Sequence, residues 1–306
     1  MTVPVLTVGL PCYRVEQIAW LALEGLCRQQ DAPPWELIIL EEDEPEAFGA
    51  RRLAEYLPGL YAAGCVRIEY GALPEHMPLA RKWLTIAHAA TQASELLLLQ
   101  GADDYPGPRR LADTWGTWEA REDPDTNWLQ WPLGLFADLT CGCSDLRRYD
   151  LHTEGYGFKT GGARVAGLGM AARLDVVRQI PGEEVLPGRD HRRRLRRGVD
   201  GWLIRCVAKT AGGLLRLAEI PTVDWTRGLY TDGFNSLSLT RTGMSGPFSP
   251  VDTTLRDVVP DDVASRLESL QDAARRAWMS RRIEDLSAPG WRADLVQAAL
   301  GAVRGA

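Results

Sequence analysis

Apolar residues enter the first hundred positions in short runs separated by amphipathic stretches. Residues 3–10 form one run, stopped by Pro11; residues 35–40 form a second after Pro33-Pro34, residues 65–70 a third and residues 95–99 a fourth. Runs of this length bounded by turn residues predict strands. Between them Ile18, Leu21, Ala22 and Leu26 recur at helical spacing within 15–30, and helical patterns cover 45–57 and 79–91. Strands alternating with helices predict an α/β chain, a mostly parallel sheet with helices on both faces.

After Asp104 the pattern loosens. An aromatic-rich strand is predicted over 128–136, glycine-rich loops over 149–169, a short helix over 168–179, a helix over 200–210 and a late strand over 213–225. Residues 224–250 form a long polar connection with Gly228, Gly233, Gly243 and Gly246, the composition of a lid or binding loop. From Asp261 onward Val263, Leu267, Leu270, Ala273 and Ala277 keep helical spacing, and 291–303 adds a second helix, so a C-terminal helical extension is expected. The expected division is a main domain over 1–225, with halves 1–110 and 111–225, followed by a lid and helices over 226–306.

Composition narrows the classes. With 306 residues and 45% hydrophobic content, the chain can bury a full core. Its apolar runs fall far short of a bilayer span of about 20 residues, and no signal-like start precedes the first strand, so a cytoplasmic protein without a membrane partner is expected. Six cysteines are scattered through core-like segments, which predicts reduced thiols; Cys141-Gly142-Cys143 has no second Cys/His pair at zinc spacing. The formal net charge of -6 argues against a surface coated for nucleic acid, but Arg189, Arg192, Arg193, Arg194, Arg196 and Arg197 crowd into one short segment. That segment reads either as a solvated helix face or as a polyanion contact.

An open α/β sheet places its ligand crevice at the carboxyl ends of its strands. Three such ends carry chemistry here: Pro11-Cys12-Tyr13, Glu41-Glu42-Asp43-Glu44 and Gln100-Gly101-Ala102-Asp103-Asp104. An acidic pair after an apolar strand suits a divalent cation bridging two phosphates, because carboxylate oxygens hold a hard metal and pyrophosphate completes its shell. Asp103-Asp104 before Tyr105-Pro106 also fits a plain turn and helix cap. Gly167-Leu168-Gly169-Met170-Ala171-Ala172 matches a relaxed dinucleotide fingerprint, or equally a place of close packing. His76, His88, His152 and His191 are too dispersed to nominate a ligand set, with His152 and His191 the candidates for a third metal ligand.

Taken in order, these motifs resemble family-2 glycosyltransferases of the GT-A (Rossmann-like) fold over about the first 110 residues. The opening strand and proline match residues 5–13, the helix after it ends near Cys27-Arg28-Gln29-Gln30, and the second strand with its acidic nucleobase-binding turn matches 36–42. The helix before the metal strand matches 79–87, with Lys82 where Asn is usual. The Asp-x-Asp element falls on Gly101-Ala102-Asp103, so its first Asp is replaced by glycine. Further on, Gly198-Val199-Asp200-Gly201-Trp202-Leu203 resembles the family's helix start that carries an acidic residue under the acceptor.

The resemblance implies a hexosyltransferase-type enzyme. A UDP- or GDP-sugar would bind over Pro11, Tyr13, Glu41 and Glu42, with Arg81 on phosphate. Mn²⁺ or Mg²⁺ would sit at Asp103 and Asp104, and Asp200 would act as general base toward an acceptor hydroxyl. Asp200 also reads as an N-cap. By analogy with bacteriophage enzymes that glycosylate DNA, the arginine cluster makes 5-hydroxymethylcytosine in DNA the favoured acceptor, with Arg192, Arg193 and Arg196 on phosphates and the host cytoplasm as the location. A glycan or protein acceptor, and an inactive nucleotide-sugar-binding or nucleotidyltransferase-like module, are the alternatives.

Overall fold

The computed structural model describes residues 2–13, 15–16, 18–43, 47–138, 146–150, 158–160, 163–165, 169–182, 199–221, 228–232, 249–250 and 253–269. The first half alternates strictly: β1 (Leu6–Cys12), α1 (Trp20–Cys27), β2 (Trp35–Glu42), α2 (Gly49–Ala62), β3 (Cys65–Leu73), α3 (Leu79–Ala89) and β4 (Leu96–Leu99). There follow β5 (Tyr105–Pro106), α4 (Arg110–Glu119), β6 (Trp128–Gln130), β7 (Leu133–Asp138), β8 (Leu146–Asp150), β9 (Phe158–Thr160), β10 (Ala163–Val165), β11 (Ala171–Arg173) and α5 (Leu174–Arg178). The last elements are α6 (Val199–Thr210), β12 (Leu217–Glu219), β13 (Gly228–Asp232), β14 (Ser249–Pro250) and α7 (Leu255–Val258).

Among the described residues the main sheet has seven strands in the order β12-β6-β11-β4-β1-β2-β3, of which only β11 runs against its neighbours. The expected α/β architecture, a mostly parallel sheet covered on both faces, is therefore met. Leu6, Val8 and Leu10 of β1, Leu37 and Ile39 of β2, and Leu96 and Leu98 of β4 turn to one core with α1 and the 255–267 helices. Ile38, Leu40, Leu97 and Leu99 turn to the other, with α3, α5 and α6. Strands buried on both faces have no reason to alternate with polar residues, which is why these runs are almost wholly apolar.

The chain winds from β1 to β2 to β3 along one edge and then returns to lay β4 on the other side of β1. The connections diverge between β1 and β4, and that divergence opens a crevice outside their carboxyl ends. A second sheet, β14-β8-β7-β13-β5, begins at Tyr105, directly after the turn that follows β4, and takes in β13 from the segment expected to be a lid.

Several boundaries differ from expectation. The helix predicted over 45–57 is α2, running from Gly49 to Ala62 through Pro58. The helix predicted over 168–179 is a strand followed by a single helical turn, because the backbone of Ala171 and Ala172 pairs with β4 on one side and β6 on the other. The aromatic strand over 128–136 is two strands in different sheets, and the late strand over 213–225 is confined in the described residues to β12. Residues 261–269 are helical as expected, with Val263, Ala264 and Leu267 in the first core; the second C-terminal helix, over 291–303, lies outside the described residues. Among the described residues no helix is long and apolar enough to cross a membrane.

Candidate functional site

Glu41 and Glu42 end β2 almost without solvent contact, at 1% and 3% exposure. The Glu41 carboxylate accepts hydrogen bonds from the backbone N–H groups of Phe48 at 2.6 Å and Gly49 at 2.9 Å, and from the Tyr70 hydroxyl at 2.9 Å. It thus sits on the orphan donors and positive end of α2. Burial, and then its hydrogen bond to Glu41, hold the Tyr70 phenol well above its ordinary range. Glu42 faces the opposite way. It pairs with the Lys82 ammonium, accepts from the Met77 N–H at 3.2 Å, and lies 3.4 Å from Nδ1 of His76.

Lys82 stands in the first turn of α3, 2% exposed, and donates both to Glu42 and to the Cys12 carbonyl, so one ammonium fastens the carboxyl ends of β1 and β2 together. Its Nζ is 5.9 Å from the centre of the Tyr13 ring, and that ring meets the His76 imidazole at 5.0 Å in a tilted contact. The beginning of the crevice is therefore an aromatic pair over a buried ion pair. The Cys12 thiol is pushed well above its usual range, chiefly by burial and next by the charge of Glu41, so it is inert as a nucleophile.

The turn after β4 is built with equal care. The Gln100 amide donates to the carbonyls of Gly101 and Asp104, both at 2.9 Å, and the N–H of Asp104 bonds the Gly101 carbonyl at 3.3 Å. Gln100 in turn accepts from the buried Arg110, which also holds the Leu99 carbonyl at 3.0 Å and lies over the Trp131 ring at 5.2 Å. This frame folds the half-buried carboxylates of Asp103 and Asp104 over Gly101. Asp103 is close enough to Cys12 for its charge to act on the thiol, so the two strand ends share one electrostatic environment.

Of the residues expected to act, Pro11, Tyr13, Glu41, Glu42, Asp103 and Asp104 come together at the carboxyl ends of β1, β2 and β4. Arg81 lies on α3 with its side chain exposed, next to the buried Lys82. Asp200 is the second residue of α6. That helix packs on α3 and α5 and leads through 211–216 into the start of β12, so its first turn lies toward the carboxyl ends of the sheet. Arg192, Arg193 and Arg196 lie outside the described residues, as do His152, His191, Cys141 and Cys143. Cys12, Cys27, Cys65 and Cys206 are reduced thiols.

The dinucleotide fingerprint is set aside. Gly169, at φ +55°, is pressed beneath the Trp131 ring, where a Cβ would lie 2.4 Å from an indole carbon, and the chain then enters β11, not a helix N-terminus. Sequence reasoning missed Arg110 and His76 as parts of the site, met Gln100 only as the start of a strand-end motif, and met Lys82 only as a departure from a pattern. Among the described residues no three His, Cys, Asp or Glu side chains converge as a metal cluster.

No family model and no curated protein matches this chain. Solved structures do resemble it in fold. They include S. aureus TarS, at 13% identity and a TM-score of 0.46, covering 74% of this chain and 37% of that one. The 1-349 portion of TarS in complex with UDP-GlcNAc gives 13% identity and a TM-score of 0.49, with 91% and 72% covered. The mannosyltransferase PcManGT from Pyrobaculum calidifontis, in complex with GDP-Man and Mn²⁺, gives 14% and 0.45, with 98% and 80% covered. The chain thus spans little more than a third of the full TarS chain.

Proposed function

We propose that this chain is an inverting glycosyltransferase of the GT-A type, taking a UDP- or GDP-sugar and using Mn²⁺ or Mg²⁺ at Asp103 and Asp104. The observation that carries the proposal is the convergence, at the switch point between β1 and β4, of two carboxylates folded over Gly101 with the Tyr13–His76 pair over the Lys82–Glu42 ion pair. Two hard oxygen donors leave the remaining coordination positions of a divalent cation to diphosphate oxygens and water, so the residues present fit such an ion. When bound, the ion supplies neutralisation of the charge that builds on a departing nucleoside diphosphate.

The protein's own groups do the rest. Tyr13 and His76 offer ring faces to a base, while Glu41 and Glu42, both turned inward, hold α2 and Lys82 in place beneath it. Asp200, at the start of α6, takes the proton from an acceptor hydroxyl. The acceptor oxygen bonds to the anomeric carbon as the bond to the diphosphate breaks, and the electron pair leaves with the diphosphate. The favoured acceptor is 5-hydroxymethylcytosine in DNA, supported by the density of arginines over 189–197 in a chain of net charge -6.

The test is incubation with a panel of UDP- and GDP-sugars and a duplex containing 5-hydroxymethylcytosine, with and without Mn²⁺, followed by mass spectrometry of the base. A sugar-sized mass gain that requires Mn²⁺ is the expected result. Donor turnover with transfer only to a glycan or protein keeps the transferase and removes DNA as acceptor. Donor binding with no turnover on any acceptor supports a non-catalytic binding module.

A further inference from the structure

Gly101 stands where the Asp-x-Asp pattern of the resembling family carries its first carboxylate. A side chain grown at this position would begin 2.3 Å from Oδ2 of Asp104 and 3.0 Å from its Cγ, with Oδ1 of Asp103 at 3.2 Å. The space above the Gly101 Cα is therefore already filled by a carboxylate belonging to the residue three positions later. Backbone conformation does not explain the glycine: Gly101 is not among the described glycines with positive φ, so its dihedrals are open to any L residue. What glycine supplies is room for the Asp104 side chain.

The turn is fixed in the form that delivers this side chain. The N–H of Asp104 closes onto the Gly101 carbonyl, and Gln100 clamps the two ends of the turn with a hydrogen bond to each carbonyl. Arg110 holds both Gln100 and the last carbonyl of β4. In this turn the Asp104 carboxylate lies above Gly101. Two carboxylates, one from position 101 and one from 104, would collide and repel in that space.

We infer that Asp104 supplies the carboxylate position 101 lacks, so that Gly101 and Asp104 form a reciprocal pair and the acidic site is complete without the first Asp. The inference rests on the metal-site reading given above. It makes a demanding prediction, that the carboxylate can be moved back: Asp104→Ala together with Gly101→Asp should restore what either change alone removes.

The experiment is Mn²⁺ binding to the full chain by electron paramagnetic resonance, with UDP and separately with GDP, alongside melting temperatures. Gly101→Ala, Asp104→Ala and the shape-preserving Asp104→Asn should each weaken Mn²⁺ binding about tenfold or more with melting temperatures near that of the unaltered chain. The double variant Gly101→Asp/Asp104→Ala should return to within about threefold of the unaltered chain, since the same number of carboxylates again faces the ion. Parent-like Mn²⁺ affinity in Gly101→Ala and Asp104→Asn, with affinity lost in Asp103→Ala, would overturn the pairing and leave the metal reading standing. So would a double variant as weak as Asp104→Ala. Parent-like affinity in Asp103→Ala as well would overturn the metal reading itself.

Discussion

Lys82 and Glu42 face each other almost dry, and such pairs are held by geometry and hydrogen bonds more than by net Coulomb gain. Removing one partner strands the other charge. Lys82→Met is therefore expected to lower unfolding stability by about 3–5 kcal/mol, while Lys82→Met combined with Glu42→Leu should recover most of that loss. Denaturant midpoints of the single and double variants are the check, and a single variant that unfolds with the unaltered chain would mean the pair is open to water. Lys82 carried a signal in the sequence: it lies three positions after Leu79 and four before Ile86, on the inward stripe of its helix. A cation on such a stripe demands a buried partner. The acidic run at 41–44 was equally visible, but not that α2 would claim Glu41 through the Phe48 and Gly49 N–H groups, because that pairing depends on where a loop brings a helix start.

At the scale of elements, β1, β2, β4 and α3 were legible because each is a pure response to two-sided burial or to one apolar face. β11 was not, and β6 and β12 were legible only inside longer predicted strands, since strands of three residues have too few positions for a period to show and their bounds are set by the neighbours they pair with. The helix start at Val199-Asp200 was legible from its own pattern, and its direction along the sheet came only with β12. An acidic residue in a first turn also interacts favourably with the helix dipole, so a catalytic and a merely stabilising Asp200 must be separated by chemistry. Asp200→Asn keeps shape and helix compatibility but removes basicity. We expect donor affinity to persist while turnover falls about a hundredfold or more, measured as kcat against donor Kd. Near-parental turnover would leave Asp200 a helix-terminal residue and move the search for the base to Asp190 or Asp138.

At the scale of the molecule, the second sheet joins β5 to β13, a strand more than a hundred residues away, a pairing that no local pattern encodes. Charge is likewise uneven: a chain of net -6 concentrates six arginines within nine positions. If that segment tracks DNA phosphates, replacing Arg192, Arg193 and Arg196 by alanine should weaken binding to hydroxymethylated duplex and flatten its dependence on salt by up to about three in log–log slope, with donor affinity unchanged. An unchanged salt slope would assign the segment to solvent. The central claim lies deeper, in the crevice between β1 and β4, where the sheet's topology and the acidic turn coincide. It is tested most directly by calorimetric titration of UDP and GDP, with and without Mn²⁺, into the unaltered chain and into Asp103→Ala. The account predicts Mn²⁺-dependent binding of one nucleotide to the unaltered chain and its loss in Asp103→Ala with the melting temperature preserved; equal affinity in the two chains would contradict it.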